Sequence, residues 1–250
     1  MKNLNLSILN KNYRPRKKWI FWTVVTLLAI SIIYAGYMLT QAPSGIAENE
    51  YQRVKSDYVL MIFQCVVGLI VIFIPSKIER KYSIDIPDIM EIIFFLFLFA
   101  AIYLGEVRNF YFRVPHWDSV LHGFSALMLG ALGFLLVNYI NDTGILDVRL
   151  SPFFVALFAF NFTVTVGVIW EIYEFLADGI LQTNMQKFIT AEGEILIGRE
   201  ALTDTMKDLI VDAVGGFVVA AGGYFALMTR REQKVEETGR EDKFVKPKKE

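Results

Sequence analysis

The chain has 250 residues, 54% hydrophobic and 14% aromatic, with a formal net charge of −1 and a mean hydropathy of +0.43. A soluble domain sits near or below half apolar, so a water-soluble globule is disfavoured. The near-zero charge supplies no basic field for nucleic acid, and the single Cys65 excludes an intrachain disulfide framework and any Cys-x-x-Cys metal or redox motif.

Residues 1–18 read as a basic arm. Six apolar runs follow, at 19–39, 58–74, 89–105, 120–140, 152–176 and 207–228. Each has the length that crosses a ~30 Å hydrocarbon core as a helix, and none alternates as a barrel strand would. The first run is too long for a signal-peptide core and lacks a small-residue cleavage site, so it is expected to be retained. The fold class is therefore all-α, a polytopic membrane helical bundle of about six transmembrane helices over 19–230. The tail 231–250 is charged and poor in apolar residues, and is expected to be disordered in the cytoplasm.

Lys and Arg set orientation. Eighteen fall in the N-terminal arm, the 2–3 loop, the 4–5 loop and the tail, among them Lys2, Lys11, Arg14, Arg149, Lys246, Lys248 and Lys249. Seven fall on the other side: Arg53, Lys55, Arg108, Arg113, Lys187, Arg199 and Lys207. Both termini are thus expected in the cytoplasm. Trp19 and Trp22 then lie at the inner interface, and Trp117 and Trp170 near the outer one. Residues 180–201 fall outside, as either an interfacial lid or a plain external loop.

Ionisable residues within spans are costly, roughly 2.5–3.5 kcal/mol for a central Asp on translocon scales. Here they cluster. Asp118 and His122 open the fourth span four residues apart, on one helix face. Glu171 and Glu174 close the fifth, and Asp204, Asp208 and Asp212 open the sixth in successive i,i+4 steps. The orientation puts all three stretches at one depth, in the outer third of the membrane. Converging carboxylates require protons, basic partners or a cation. An oxygen-rich set with one imidazole suits Mg²⁺ or Mn²⁺ first, then Fe²⁺ or Zn²⁺. Read singly, each group has a plainer role. Asp118 and Asp204 can serve helix N-termini, His122 can be a packing residue, and Glu171 and Glu174 can sit at the water boundary. Asp208 and Asp212 lie deeper and resist that reading. His116 follows Pro115 in a loop and is expected at the surface.

The stretches HWDSVLHGFSALMLG, WEIYEF and DTMKDLIVDAVGG resemble the YjdF-like family of bacterial inner-membrane proteins, and more distantly VanZ-like proteins. The resemblance covers about residues 85–228, the motif-bearing core, through Asp118, His122, Glu171, Glu174, Asp204, Asp208, Asp212 and Gly216. It implies a multi-pass protein of the bacterial cytoplasmic membrane.

Three function classes stay open. A divalent metal held by the carboxylates at the outer leaflet suits an enzyme acting on a lipid-linked or amphipathic phosphate, with Arg108 or Arg113 pairing an anionic headgroup. Intramembrane acids also mark proton- or cation-coupled transporters, for which Glu91, Gln64 and Asn161 are the other polar candidates. A non-catalytic accessory protein would keep the acids as structural glue. Membrane lipid is the expected surrounding partner, and nucleic acid is not expected. Reporter fusions at residues 45 and 190 are expected to report the outside and fusions at 80 and 240 the cytoplasm; an external C-terminus would reverse the side assigned to the acids.

Overall fold

The computed structural model describes residues 6–82, 86–143 and 150–244. Eight α-helices and one π-helix account for most of them: α1 (Leu6–Gln41), α2 (Lys55–Val71), α3 (Ile74–Tyr82), α4 (Asp88–Leu98), the π-helix (Phe99–Val107), α5 (Phe110–Arg113), α6 (Trp117–Thr143), α7 (Pro152–Leu181) and α8 (Arg199–Phe244). Six stretches are long and apolar enough to cross a membrane: Pro15–Gln41, Lys55–Tyr82, Asp88–Val107, Trp117–Asn141, Pro152–Leu181 and Arg199–Gln233. The protein is an all-α polytopic membrane bundle. Among the described residues the sole bridge of β type joins Ile189 and Ile195. Lys2, Arg149, Lys246, Lys248 and Lys249, on which part of the orientation argument rests, lie outside the described residues.

The chain falls into two compact units, Met1–Leu121 with Glu171–Met206, and His122–Trp170 with Lys207–Glu250. In the first unit, α1 buries Val24, Leu28, Ser31 and Ala35, spaced four, three and four residues apart. That is the stripe one helix face presents to a neighbour. It meets Tyr58, Met61 and Cys65 of α2 and Phe95, Leu98 and Ile102 of the third span. Gly68 sits where these elements come closest; a Cβ there would lie 3.1 Å from the Leu28 side chain. The opposite face of α1 carries Trp19, Trp22, Ile33 and Tyr37, all exposed. An apolar exterior is what a lipid solvent selects.

Two breaks were not signalled by hydropathy. The second span is interrupted between Val71 and Ile74, because Pro75 has no N–H to continue the α2 ladder and instead opens α3. The third span leaves α geometry at Phe99 for a π-helix, whose end is marked by the Arg108 N–H donating five residues back to the Tyr103 carbonyl at 2.9 Å. Arg53 caps that end, donating to the carbonyls of Glu106 at 2.5 Å and Val107 at 3.1 Å.

The second unit is a three-helix packing of small residues. Ala126, Gly130 and Gly133 of α6, Ala159, Thr163 and Gly167 of α7, and Gly216 and Ala220 of α8 are all buried. The approach is close: a Cβ at Gly133 would lie 2.9 Å from the Ala159 Cα, and one at Gly216 3.1 Å from Thr163. Van der Waals contact through small residues is how helices associate where no hydrophobic effect drives them together. The tail, expected to be disordered from 231, instead continues α8 to Phe244. Its Glu, Gln, Lys and Arg residues are strong helix formers, and extending an existing helix needs no new nucleus.

At the start of α4, Asp88 and Glu91 are buried (5% and 2% exposed) and both pair with the Lys17 ammonium from α1. Glu91, a candidate for a polar pathway from sequence, is thus part of an ion group between two helices of one unit. Lys17→Met leaves two buried carboxylates uncompensated and is expected to destabilise the folded protein by about 3–5 kcal/mol. Thermal unfolding in detergent measures this, and Glu91→Gln in the same chain should restore part of the loss.

Candidate functional site

The first unit holds Asp118, Glu171, Glu174 and Asp204 of the expected set. Asp118 lies in the first turn of α6 and is half-buried, as is Asp204 on α8, while Glu171 and Glu174 of α7 are each 5% exposed. The cation among them is one that sequence reasoning counted only for its charge. Lys187, on the loop after α7, places its ammonium 3.5 Å from Asp118 Oδ2, donates to the Met185 carbonyl at 2.5 Å, and stands 4.4 Å from the centre of the Tyr111 ring. Burial works to lower its pKa, but Asp118, Glu174, Asp204 and Glu106 together outweigh burial and hold it above its ordinary value. Lys187 is therefore fully charged at neutral pH, a fixed counter-ion to the acids of this unit.

The loop that carries Lys187 is built for the purpose. The Asp178 carboxylate, in the last turn of α7, accepts from Thr183 Oγ1 at 2.7 Å, the Met185 N–H at 2.7 Å and the Gln186 N–H at 2.9 Å. Asn184 closes the next turn, accepting from the Ile189 N–H at 2.9 Å and donating to the Ile189 carbonyl at 2.7 Å. Met185 is buried against Leu60 and Ala177, and Gln64 Nε2 donates to its sulfur at 3.3 Å. Residues 182–198 form no helix, and Met185 and the Asp178 bonds pin the start of this segment to α2 and α7. The signal lay in the run Asp178–Gly179 followed by Thr183 and Asn184, side chains that bond backbone and make turns.

Arg108 and Arg113, expected near a headgroup, are both exposed. Arg113 stands 5.3 Å over the Tyr51 ring. Lys207, on the second unit, is exposed as its helix register requires, and His116 sits exposed in its loop.

The second unit holds His122, Asp208 and Asp212, at 7%, 3% and 3% exposure. His122 Nδ1 and Asp212 Oδ2 are 3.2 Å apart, a hydrogen bond in the tautomer protonated at Nδ1. Asp212 lies where α7 has Gly167, and a Cβ at that position would sit 3.0 Å from the Asp212 carboxyl carbon. Any other residue would push the carboxylate off the imidazole. A ligand atom of Asp208 lies within 4.8 Å of one on His122, a separation two donors to one ion can adopt. Asp118 precedes His122 by one turn of the same helix. An Asp–His hydrogen bond that fixes the ring is the arrangement found behind metal-bound histidines. Asn161 donates to the Leu157 carbonyl at 2.8 Å on its own helix, a local bond, and takes no part in this group.

Fold and geometry define the class: a polytopic membrane protein with a histidine–carboxylate group buried in its spans. The family described as predicted membrane protein (DUF2238) matches residues 31–229, and the chain belongs to it. An uncharacterized protein of Thermotoga maritima is 28% identical over 154 residues, 59% of this chain and 68% of that relative. No solved structure matches.

Asp178→Asn weakens three bonds that shape the Lys187 turn. Hydrogen exchange at the Met185 and Gln186 amides is expected to speed up by about tenfold or more, as loss of a charge-assisted bond implies. Mass spectrometry of the peptide spanning them checks this.

Proposed function

We propose that the protein binds a divalent cation through His122 and Asp208 and uses it at the outer leaflet of the bacterial cytoplasmic membrane on a lipid-linked or amphipathic phosphate. The observation that supports this reading most is the Asp212–His122 hydrogen bond beside Asp208. With Nδ1 engaged by Asp212 at 3.2 Å, the ring orientation is fixed, and a ligand atom of Asp208 lies within 4.8 Å of one on His122. Asp212 becomes the residue that orients the ring. A divalent ion would add positive charge to a group of two buried carboxylates and one imidazole. As a Lewis acid the ion would polarise a phosphoryl oxygen and lower the pKa of a bound water. The YjdF-like and, more distantly, VanZ-like resemblance agrees with an envelope role.

Cation- or proton-coupled transport is the second reading. The buried His122–Asp212 pair favours it, since such a pair can exchange a proton. The Lys17 partnership of Glu91 weighs against a polar path continuing across the first unit.

Protein purified in detergent is expected to hold Mn²⁺ or Zn²⁺ near one ion per chain, and to release inorganic phosphate from a long-chain isoprenoid phosphate in a chelator-sensitive way. Asp208→Asn should abolish both. Asp212→Asn should weaken metal affinity about 10–100-fold, as loss of an orienting partner does. Wild-type protein without stoichiometric metal, and with thermal stability unmoved by chelator, would remove the metal reading. Metal binding without phosphate release would instead favour transport.

A further inference from the structure

The segment after the Lys187 turn doubles back on itself. Ile189 and Ile195 pair across it, the Thr190 N–H donates to the Glu194 carbonyl at 2.9 Å, and the Leu196 N–H donates to the Phe188 carbonyl at 2.8 Å. The returning strand then carries Ile197 and leads to Arg199, the first residue of α8. We propose that residues 195–199 bind phospholipid, with Ile195 and Ile197 among the acyl chains of the leaflet at this end of the spans and Arg199 on a headgroup phosphate.

The backbone holds the two isoleucines where they are. The Tyr51 N–H, from the segment before α2, donates to the Ala191 carbonyl at 3.1 Å. Gly193 turns the chain at φ 84° against the Ala47 carbonyl, which a Cβ at that position would strike. Asn184 grips Ile189 by both its N–H and its carbonyl. In a strand so fastened, Ile195 is 50% exposed and Ile197 is 80% exposed. Residues two apart in extended chain share a face, and Leu196 between them is half-buried.

The surroundings select lipid as the occupant. The segment is tethered at both ends to spans, Pro152–Leu181 and Arg199–Gln233. Ile172, Leu176 and Ile180 form an exposed stripe in i,i+4 steps up to the end of the first, and Leu202 and Met206 begin one at the start of the second. Exposed apolar faces of spans meet acyl chains. Ile197 precedes Leu202 by five residues, so along the chain the returning strand continues a surface that already faces lipid.

Charge agrees with a phospholipid boundary. Glu192 and Glu194, which headgroup phosphates would repel, lie at the turn, and the exposed cation that follows the isoleucines is Arg199. Arg199 makes no ion pair with any described residue. A cation at the first position of a helix opposes the macrodipole, so α8 gains nothing from it. A phosphate supplies the missing anion and matches the guanidinium fork. Aliphatic side chains with an arginine beside them suit the boundary between headgroups and acyl chains.

Spin labels report where the strand lies. The full chain carries Cys65→Ala and one label, at Ile197→Cys or, as the water-facing control, at Glu192→Cys, in nanodiscs of phosphatidylglycerol and phosphatidylethanolamine. Oxygen, which concentrates in acyl chains, should relax the Ile197→Cys label more than a water-soluble nickel chelate does, and the order should reverse at Glu192→Cys. Adding Arg199→Gln should lower the oxygen-to-nickel ratio of the Ile197→Cys label severalfold, and Arg199→Lys should leave it near its original value, because charge seats the strand. Should Ile197→Cys fail to elute as folded protein, Ile195→Cys carries the label. Nickel access as high as at Glu192→Cys, a ratio that Arg199→Gln does not move, or a label shielded from both reagents, as a second copy or another protein on this strand would leave it, would overturn the proposal.

Discussion

The structure depends on one constraint, that a charge taken into hydrocarbon must bring its compensation with it. Two groups of acids in the first unit are each met by an ammonium from a different element. Lys17 of α1 reaches Asp88 and Glu91, and Lys187 of the loop after α7 reaches Asp118 with Glu174, Asp204 and Glu106 in its field. In both places the lysine fastens elements distant in sequence, so the ion group acts as a joint as well as a neutraliser. The second unit has an imidazole where the first has lysines. One His122 stands with Asp208 and Asp212.

Much of the fold was legible because lipid acts on sequence simply. Run length gave six spans, and the six found lie on the same segments with longer ends. The i,i+4 spacing of Asp208 and Asp212 correctly placed both on one buried face of α8, with Lys207 outside it. What hydropathy did not carry was geometry set by single residues. Pro75 splits the second span although the apolar run passes through it. The π-helix at Phe99–Val107 has no compositional mark, because its last carbonyls are held by Arg53 from the segment before α2. The helix through Phe244 was hidden by composition, since the same charged residues that suit disorder also extend a helix already formed.

The site was legible in residue type and less so in role. Asp118, His122 and Asp208 stand out in sequence because acids and histidines in spans are rare. Asp212 looked like one more ligand; in three dimensions it holds the imidazole, and Gly167 on the facing helix leaves it room to do so. Lys187 went unmarked because a lysine in an external loop is ordinary. Only the Asp178 turn and the buried Met185 beside it show why this one turns inward. Arg108 and Arg113 drew notice by position before a span, and both lie exposed. Roles of this kind depend on pairings between distant segments, which one sequence does not record.

Charge compensation is tested most directly by a double-mutant cycle on Lys187 and Asp118, reading reversible unfolding of the full chain in mixed micelles. Lys187→Met and Asp118→Asn each remove one side of the contact, and the double variant removes both. The account predicts that the double variant is more stable than the two single losses sum to, with a coupling of about 1 kcal/mol or more. Strictly additive losses would mean that the lysine and the acid contribute separately, and would contradict the claim that the loop's cation is there to answer the acid.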